Sequence, residues 1–177
     1  MGVYPYLIYH QAITSIVEGN ARGVLWAGTD DGRVWRTDNG GQTWEEKTKG
    51  LPFNKHVAKI VTYPFNDNTV YVVLNGRRDD DHTPYIFVSY DYGSTWQKIS
   101  YNLPASPVNV LLIDPDRGHF YCGTDMGVYR MKANGKIWES ISGNLPVAVS
   151  VNDMFIHPKE KKLVIGTYGR GVYALDD

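Results

Sequence analysis

The residues that could do chemistry in this chain are carboxylates and guanidiniums. Asp30 and Asp31 follow Gly28-Thr29, Asp125 follows Gly123-Thr124, and Asp153 lies in Val151-Asn152-Asp153. Glycoside hydrolysis needs two carboxyl groups about 5 to 9.5 Å apart across the scissile bond, so these four Asp residues are the candidate catalytic groups. Asp in Gly-Thr-Asp-x-Gly is also a good turn former, because its side chain bonds its own backbone. A second concentration is the loop Asn75 to Pro84, which holds Arg77, Arg78, Asp79, Asp80, Asp81 and His82. Three carboxylates beside two guanidiniums suit a divalent cation, or a grip on a sugar or a peptide carboxylate. Adjacent Asp side chains diverge in extended backbone and rarely chelate one ion without a dedicated loop. No metal is therefore assigned, and a solvated, partly self-paired loop is the plain alternative. Tyr168 and Arg170 complete the candidate ligand residues, with His56, Asn109 and Asn152 beside them. No Gly-rich phosphate loop, Cys/His metal spacing or Ser nucleophile elbow is present, and no cofactor is expected.

What must position these residues is a repeat. Trp44, Trp96 and Trp138 each precede a Leu-Pro pair, Leu51-Pro52, Leu103-Pro104 and Leu145-Pro146, by seven residues. Before the Trp stand Thr37-Asp38-Asn39-Gly40-Gly41-Gln42-Thr43, then Ser89-Tyr90-Asp91-Tyr92-Gly93-Ser94-Thr95, then the worn Met131-Lys132-Ala133-Asn134-Gly135-Lys136-Ile137. The pattern is Ser/Thr-x-Asp-x-Gly-x-Thr-Trp. Asp or Asn accepts backbone N–H bonds in a tight turn, Gly takes φ > 0, and the Trp anchors the turn to the core. This is the Asp-box, or BNR repeat. Its structural residues are Thr37, Asn39, Gly41, Thr43, Trp44, then Ser89, Asp91, Gly93, Thr95, Trp96, then Gly135 and Trp138. The three tryptophans are expected in equivalent buried positions.

Around each box short β-branched and aromatic runs alternate with turns, four strands to a repeat. A repeat of forty to fifty residues with four strands reads as a β-propeller blade. The fold class is all-β, a β-propeller of four-stranded blades in one unit over 1–177. Blades are placed at about 12–52, 57–104, 108–146 and a partial 151–177, and Val3 to Tyr9 is strand-like enough to be a closing strand. In such blades the second-to-third hairpins and the blade connections share one rim and the boxes lie on the other. Ligand sites belong on the first rim, where loops converge.

The chain of 177 residues has a formal net charge of −1 and one cysteine, Cys122. No nucleic-acid footprint, internal disulfide or membrane-spanning stretch follows from that composition. Met1 to Gln11 has neither a basic start nor an unbroken apolar run, so it is not a signal peptide.

With its boxes, with Leu25-Trp26-Ala27-Gly28-Thr29-Asp30-Asp31-Gly32, and with the terminal Gly166-Thr167-Tyr168-Gly169-Arg170-Gly171-Val172-Tyr173, the chain resembles a known family. It looks like the C-terminal propeller portion of bacterial BNR-repeat proteins related to sortilin, often labelled glycosyl hydrolases. The resemblance implies a piece of a longer secreted or cell-envelope protein, in a noncatalytic module recognising a protein, peptide or glycan. A portion of a sialidase-like or xyloglucanase-like glycoside hydrolase is the alternative. No Arg-Ile-Pro string of the sialidases is present. An incomplete ring exposes strand edges and apolar faces. Closure by the N-terminal strand, a homodimer, or missing blades would cover them.

Overall fold

The computed structural model describes residues 12–143 and 145–175. The expected closing strand at Val3 to Tyr9 lies outside them. Four antiparallel sheets follow one another along the chain. The first contains β1 (Ile13–Glu18), β2 (Leu25–Thr29), β3 (Val34–Thr37) and β4 (Glu45–Glu46). The second contains β5 (His56–Thr62), β6 (Val70–Gly76), β7 (Asp81–Ser89) and β8 (Gln97–Lys98). The third contains β9 (Val108–Asp114), β10 (His119–Thr124), β11 (Gly127–Lys132) and β12 (Glu139–Ser140). The last has three strands, β13 (Val151–Ile156), β14 (Leu163–Thr167) and β15 (Gly171–Leu175). Each sheet is a meander in sequence order.

The first strand of each sheet packs against the first strand of the next, β1 on β5, β5 on β9 and β9 on β13. Those strands are therefore the inner edges of a fan. The core lies between the sheets, in three clusters. Trp26 and Val34 meet Val57, Ile60 and Val72. Tyr71, Val73 and Ile86 meet Val108, Leu111 and Phe120. Tyr121 and Val128 meet Val151, Met154 and Ile165. Leu51, Leu103 and Leu145 join these clusters in turn, so each Leu-Pro wedges the chain into the gap as it crosses to the next inner strand.

The two full turns have the same hydrogen bonds. Thr37 Oγ1 donates to Asn39 Oδ1 at 2.8 Å, and that oxygen also accepts the Thr43 N–H at 3.0 Å. Ser89 Oγ donates to Asp91 Oδ1 at 2.7 Å, and the Thr95 N–H reaches the same oxygen at 2.8 Å. Gly41 and Gly93 both take positive φ, 90° and 79°, where any Cβ is penalised. Gly135 does not follow the expectation. The third turn closes by its backbone alone, the Gly135 N–H donating to the Lys132 carbonyl at 2.7 Å. With no Asp–Thr pair to wrap, the chain has no need of the left-handed conformation there.

The tryptophans correct another expectation. Trp138 is 3% exposed, Trp96 partly buried and Trp44 39% exposed. The reason is directional. Trp96 Nε1 donates to the Lys47 carbonyl at 2.9 Å, and Trp138 Nε1 to the Ile99 carbonyl at 3.0 Å. Each indole docks on the sheet before its own, and among the described residues none precedes the sheet of Trp44.

Candidate site on the inner-strand rim

The antiparallel meander puts the β2–β3, β6–β7, β10–β11 and β14–β15 hairpins at one end of the sheets, together with the connections between sheets. The Asn39 and Asp91 turns lie at the other end. At the hairpin end the β6–β7 loop forms a short 3₁₀ turn, Arg77–Asp79, that points its two arginines in opposite directions. Arg77 forms a bidentate pair with Asp125 of the third sheet, Nε to Oδ2 being 3.0 Å. Arg78 Nη1 lies 3.6 Å from Asp30 Oδ2 of the first sheet. One hairpin thus ties its own sheet to both neighbours.

Asp125 is the hub of the larger half. It also accepts Asn109 Nδ2 at 2.9 Å and Ser150 Oγ at 2.8 Å. Asn75 Nδ2 donates to Asn109 Oδ1 at 2.8 Å, and Ser150 Oγ lies 3.0 Å from Asn152 Oδ1. A polar network therefore runs across three sheets. Asp81 is held by Lys55 Nζ at 3.1 Å and accepts the Tyr85 hydroxyl at 2.8 Å and the Thr83 N–H at 2.9 Å. Bonds from Thr83 first, with Tyr85 and Lys55 adding, hold its carboxyl well below the usual range. Lys55 also reaches Asp79 at 3.0 Å, and these two bonds raise its ammonium pKa. Asp80, by contrast, takes φ 55° and points to solvent, with His82 Nε2 at 3.3 Å. The three successive carboxylates do not converge on one point. Among the described residues no group of three or more His, Cys, Asp or Glu is arranged to hold a metal ion.

The four candidate catalytic carboxylates are engaged separately. Asp30 accepts the Ala12 N–H at 2.9 Å, and this bond, with Arg78 adding, keeps its carboxyl below the ordinary value. Asp31 takes the Thr29 hydroxyl and lies 3.2 Å from Arg33 Nε. Asp153 accepts the Met154 N–H at 3.0 Å. A glycosidase's general acid needs a raised pKa, and Asp30 is shifted the other way. Tyr168 and Arg170 are exposed on the β14–β15 hairpin, and the Tyr168 N–H donates to the Ser150 carbonyl at 2.9 Å.

Two depressions of about 270 Å³ each open between the β6–β7 hairpin and the inner strands. Both are lined by His56, Asn75 and Arg78. One adds Asp30, Asp31 and Asn54, the other Asn109 and Asn152. A wider groove of about 800 Å³ adjoins them through Asp31 and Asn54, and is lined by Arg33, Lys49 and Phe53. Together they make a trough over the rim. Burial holds the His56 imidazole below its usual range, and the Arg78 charge adds to that. Its Nδ1 is buried and has no hydrogen-bond partner among the described residues. Sequence reading placed His56 on this rim, at the entry to an inner strand, but gave it no role of its own. The hydroxyls of Thr48, Ser100 and Ser142, which accept the N–H of Val34, Ile86 and Val128 at 2.9 to 3.0 Å, escaped it too. Their signal is their constant place four residues after each Trp. Cys122 is buried, and burial pushes its thiol well up, away from nucleophilic use.

No protein-family model and no curated protein sequence matches the chain. Solved structures do. A GH74 xyloglucanase from Xanthomonas campestris superposes with a TM-score of 0.67 at 17% identity, over 90% of this chain and 27% of that one. YCF48 bound to D1 peptide gives 0.63 at 17%, over 94% and 50%. A chain of the nidogen/laminin complex gives 0.69 at 12%, over 93% and 60%. These neighbours are β-propeller proteins, and the chain has the fold of a β-propeller segment. It spans well under two thirds of the length of each. Among the described residues no helix is long and apolar enough to cross a membrane.

Proposed function

We propose that the chain is a noncatalytic binding segment of a propeller, built of Asp-box blades, three of them four-stranded and a fourth shorter. Its ligand is an extended peptide or glycan laid along the inner-strand rim. The observation that carries this reading is the rim trough itself, where the His56 imidazole and the Arg78 guanidinium stand with the carboxamides of Asn54 and Asn152. Carboxamides and a neutral imidazole recognise amide or hydroxyl groups along a polymer. The YCF48 neighbour, bound to D1 peptide, shows that a related fold takes a peptide. The boxes act as fasteners on the opposite side. A sortilin-like, secreted or cell-envelope origin fits the same reading.

The alternative is part of a glycoside hydrolase, favoured by the GH74 neighbour. It would have to use Asp30, Asp31, Asp125 or Asp153, all of which are engaged. Reducing-end assays on xyloglucan and a broad glycan panel should show no turnover. Turnover that disappears in Asp30→Asn or Asp125→Asn would replace the binding reading with the enzymatic one.

A further inference from the structure

The dipeptide Asn-Gly occurs three times, as Asn39-Gly40, Asn75-Gly76 and Asn134-Gly135. In each, the Gly backbone nitrogen can attack the side-chain carbonyl carbon of the Asn before it, because Gly has no Cβ to hinder the approach and its backbone adapts to the five-membered ring that forms. The three sites carry the same intrinsic reactivity, and the fold decides which of them can use it.

Two are locked. Asn39 Oδ1 accepts the Thr37 hydroxyl and the Thr43 N–H, its Nδ2 donates to Thr43 Oγ1 at 2.8 Å, and the Gly40 N–H is tied to the Gly23 carbonyl at 2.9 Å. For an attack there, Gly40 must leave the β1–β2 turn and the Asn39 amide must leave its box. Asn75 Nδ2 donates to Asn109 Oδ1 at 2.8 Å and its Oδ1 accepts the Arg77 N–H at 2.9 Å, while Gly76 is buried and paired with Asp81. Asn134 differs. It is exposed, and among the described residues no hydrogen bond holds its side chain. The Gly135 N–H is bonded within its own turn, to the Lys132 carbonyl.

The third turn can also accept the product. Ala133 stands where the other turns have Asn39 and Asp91, so no box bond is lost when Asn134 folds onto Gly135. Trp138, beyond the turn, is held independently by Asn102, whose Oδ1 accepts the Trp138 N–H at 2.7 Å and whose Nδ2 donates to the Trp138 carbonyl at 3.0 Å. The turn can therefore change its backbone without shifting the sheet.

We propose that Asn134 is a site of spontaneous deamidation in the folded protein, and that the native fold carries its acidic products. The Gly135 nitrogen bonds to Asn134 Cγ, and that carbon releases its amide nitrogen as ammonia, which takes the proton from the Gly135 nitrogen and leaves a cyclic imide. Water then opens the imide at either carbonyl, giving aspartate, or isoaspartate with the main chain rerouted through the side chain. The sequence of steps consumes water and releases ammonia with no change of oxidation state. Either product sets a new carboxylate between Lys132 and Lys136 in the chain. The site lies on the box side and does not depend on what the rim binds.

Incubation of the intact protein in heavy-oxygen water at mildly alkaline pH, with and without denaturant, followed by peptide mapping in a mass spectrometer, tests this. In the folded protein Asn134 should convert at least about tenfold faster than Asn39 or Asn75, the factor that losing a bond or two at those sites gives. In denaturant the three should convert at similar rates. Converted protein, and the variant Asn134→Gln, should melt as the parent does, and the variant should show no conversion at that peptide. Asn39 or Asn75 keeping pace with Asn134 in the folded protein overturns the proposal, as does an Asn134 that stays amidated while the denatured chain converts. The same order of rates in denaturant also overturns it, by assigning the selectivity to local sequence instead of the fold. A melting temperature that falls in step with conversion overturns the claim that the fold carries the products.

Discussion

At the scale of single residues, position relative to the preceding sheet decides what a side chain contributes. Truncating Trp138 removes a buried indole and its bond to the Ile99 carbonyl, so Trp138→Ala should cost about 3 to 5 kcal/mol, as large aromatic truncations in cores do. Trp44, 39% exposed, has no such dock among the described residues, and Trp44→Ala should change stability by under about 1 kcal/mol, in the range of surface substitutions. Denaturant melts of both variants check this, and equal losses would contradict the directional docking. Asp91 is a pH-dependent case. Bonds from the Thr95 hydroxyl and N–H, with Ser89 adding, lower its pKa to about 2 from 3.8. A carboxyl depressed on folding stabilises fully above its unfolded value, and that contribution is lost as pH falls from 3.8 through about 2. Asn39 shows that an amide closes the same turn, so Asp91→Asn should fold at neutral pH and lose less on acidification. Melting temperatures of parent and variant should therefore converge between neutral pH and pH 3, and a constant gap would contradict the assignment.

At the scale of elements, the turns and strands were legible in sequence because local chemistry fixes them. The Asp, Gly and Thr of a box bond one another within eight residues, and the β-branched runs between turns leave few alternatives to a meander. The hairpin arginines were not legible in the same way. Arg77 and Arg78 read as a charged loop, and nothing in their spacing says that one reaches the third sheet and the other the first. That outcome depends on how sheets stack, which the sequence encodes only through residues such as Gly28 and Gly123. Those glycines also give the sharpest packing prediction. Gly123→Ala should destabilise by about 1 to 3 kcal/mol through overpacking against Val151. Gly166→Ala, at the equivalent position of the last sheet, should stay within about 0.5 kcal/mol. Thermal melts compare the two, and equal costs would deny that the next sheet packs directly on Gly123.

At the scale of the whole molecule, the propeller fold follows from the period of the repeat, and the solved neighbours share it at identities too low to carry function. The chemistry of the candidate carboxylates was not visible in sequence. Asp30 and Asp125 each take an arginine from a neighbouring sheet, so a residue that looks free in sequence is spoken for in space. What remains open to a ligand on that rim is His56, Asn54, Asn152 and the exposed side of Arg78. The most direct measurement is retention of peptides from a random library, and of glycans from an array, by three proteins: the parent, the rim variant His56→Ala/Arg78→Ala, and a variant in the exposed Asp91 turn at the other end of the sheets, Ser94→Glu. The account predicts that ligands held by the parent are released by the rim variant and kept by Ser94→Glu. Loss of binding in Ser94→Glu with retention in the rim variant would contradict it.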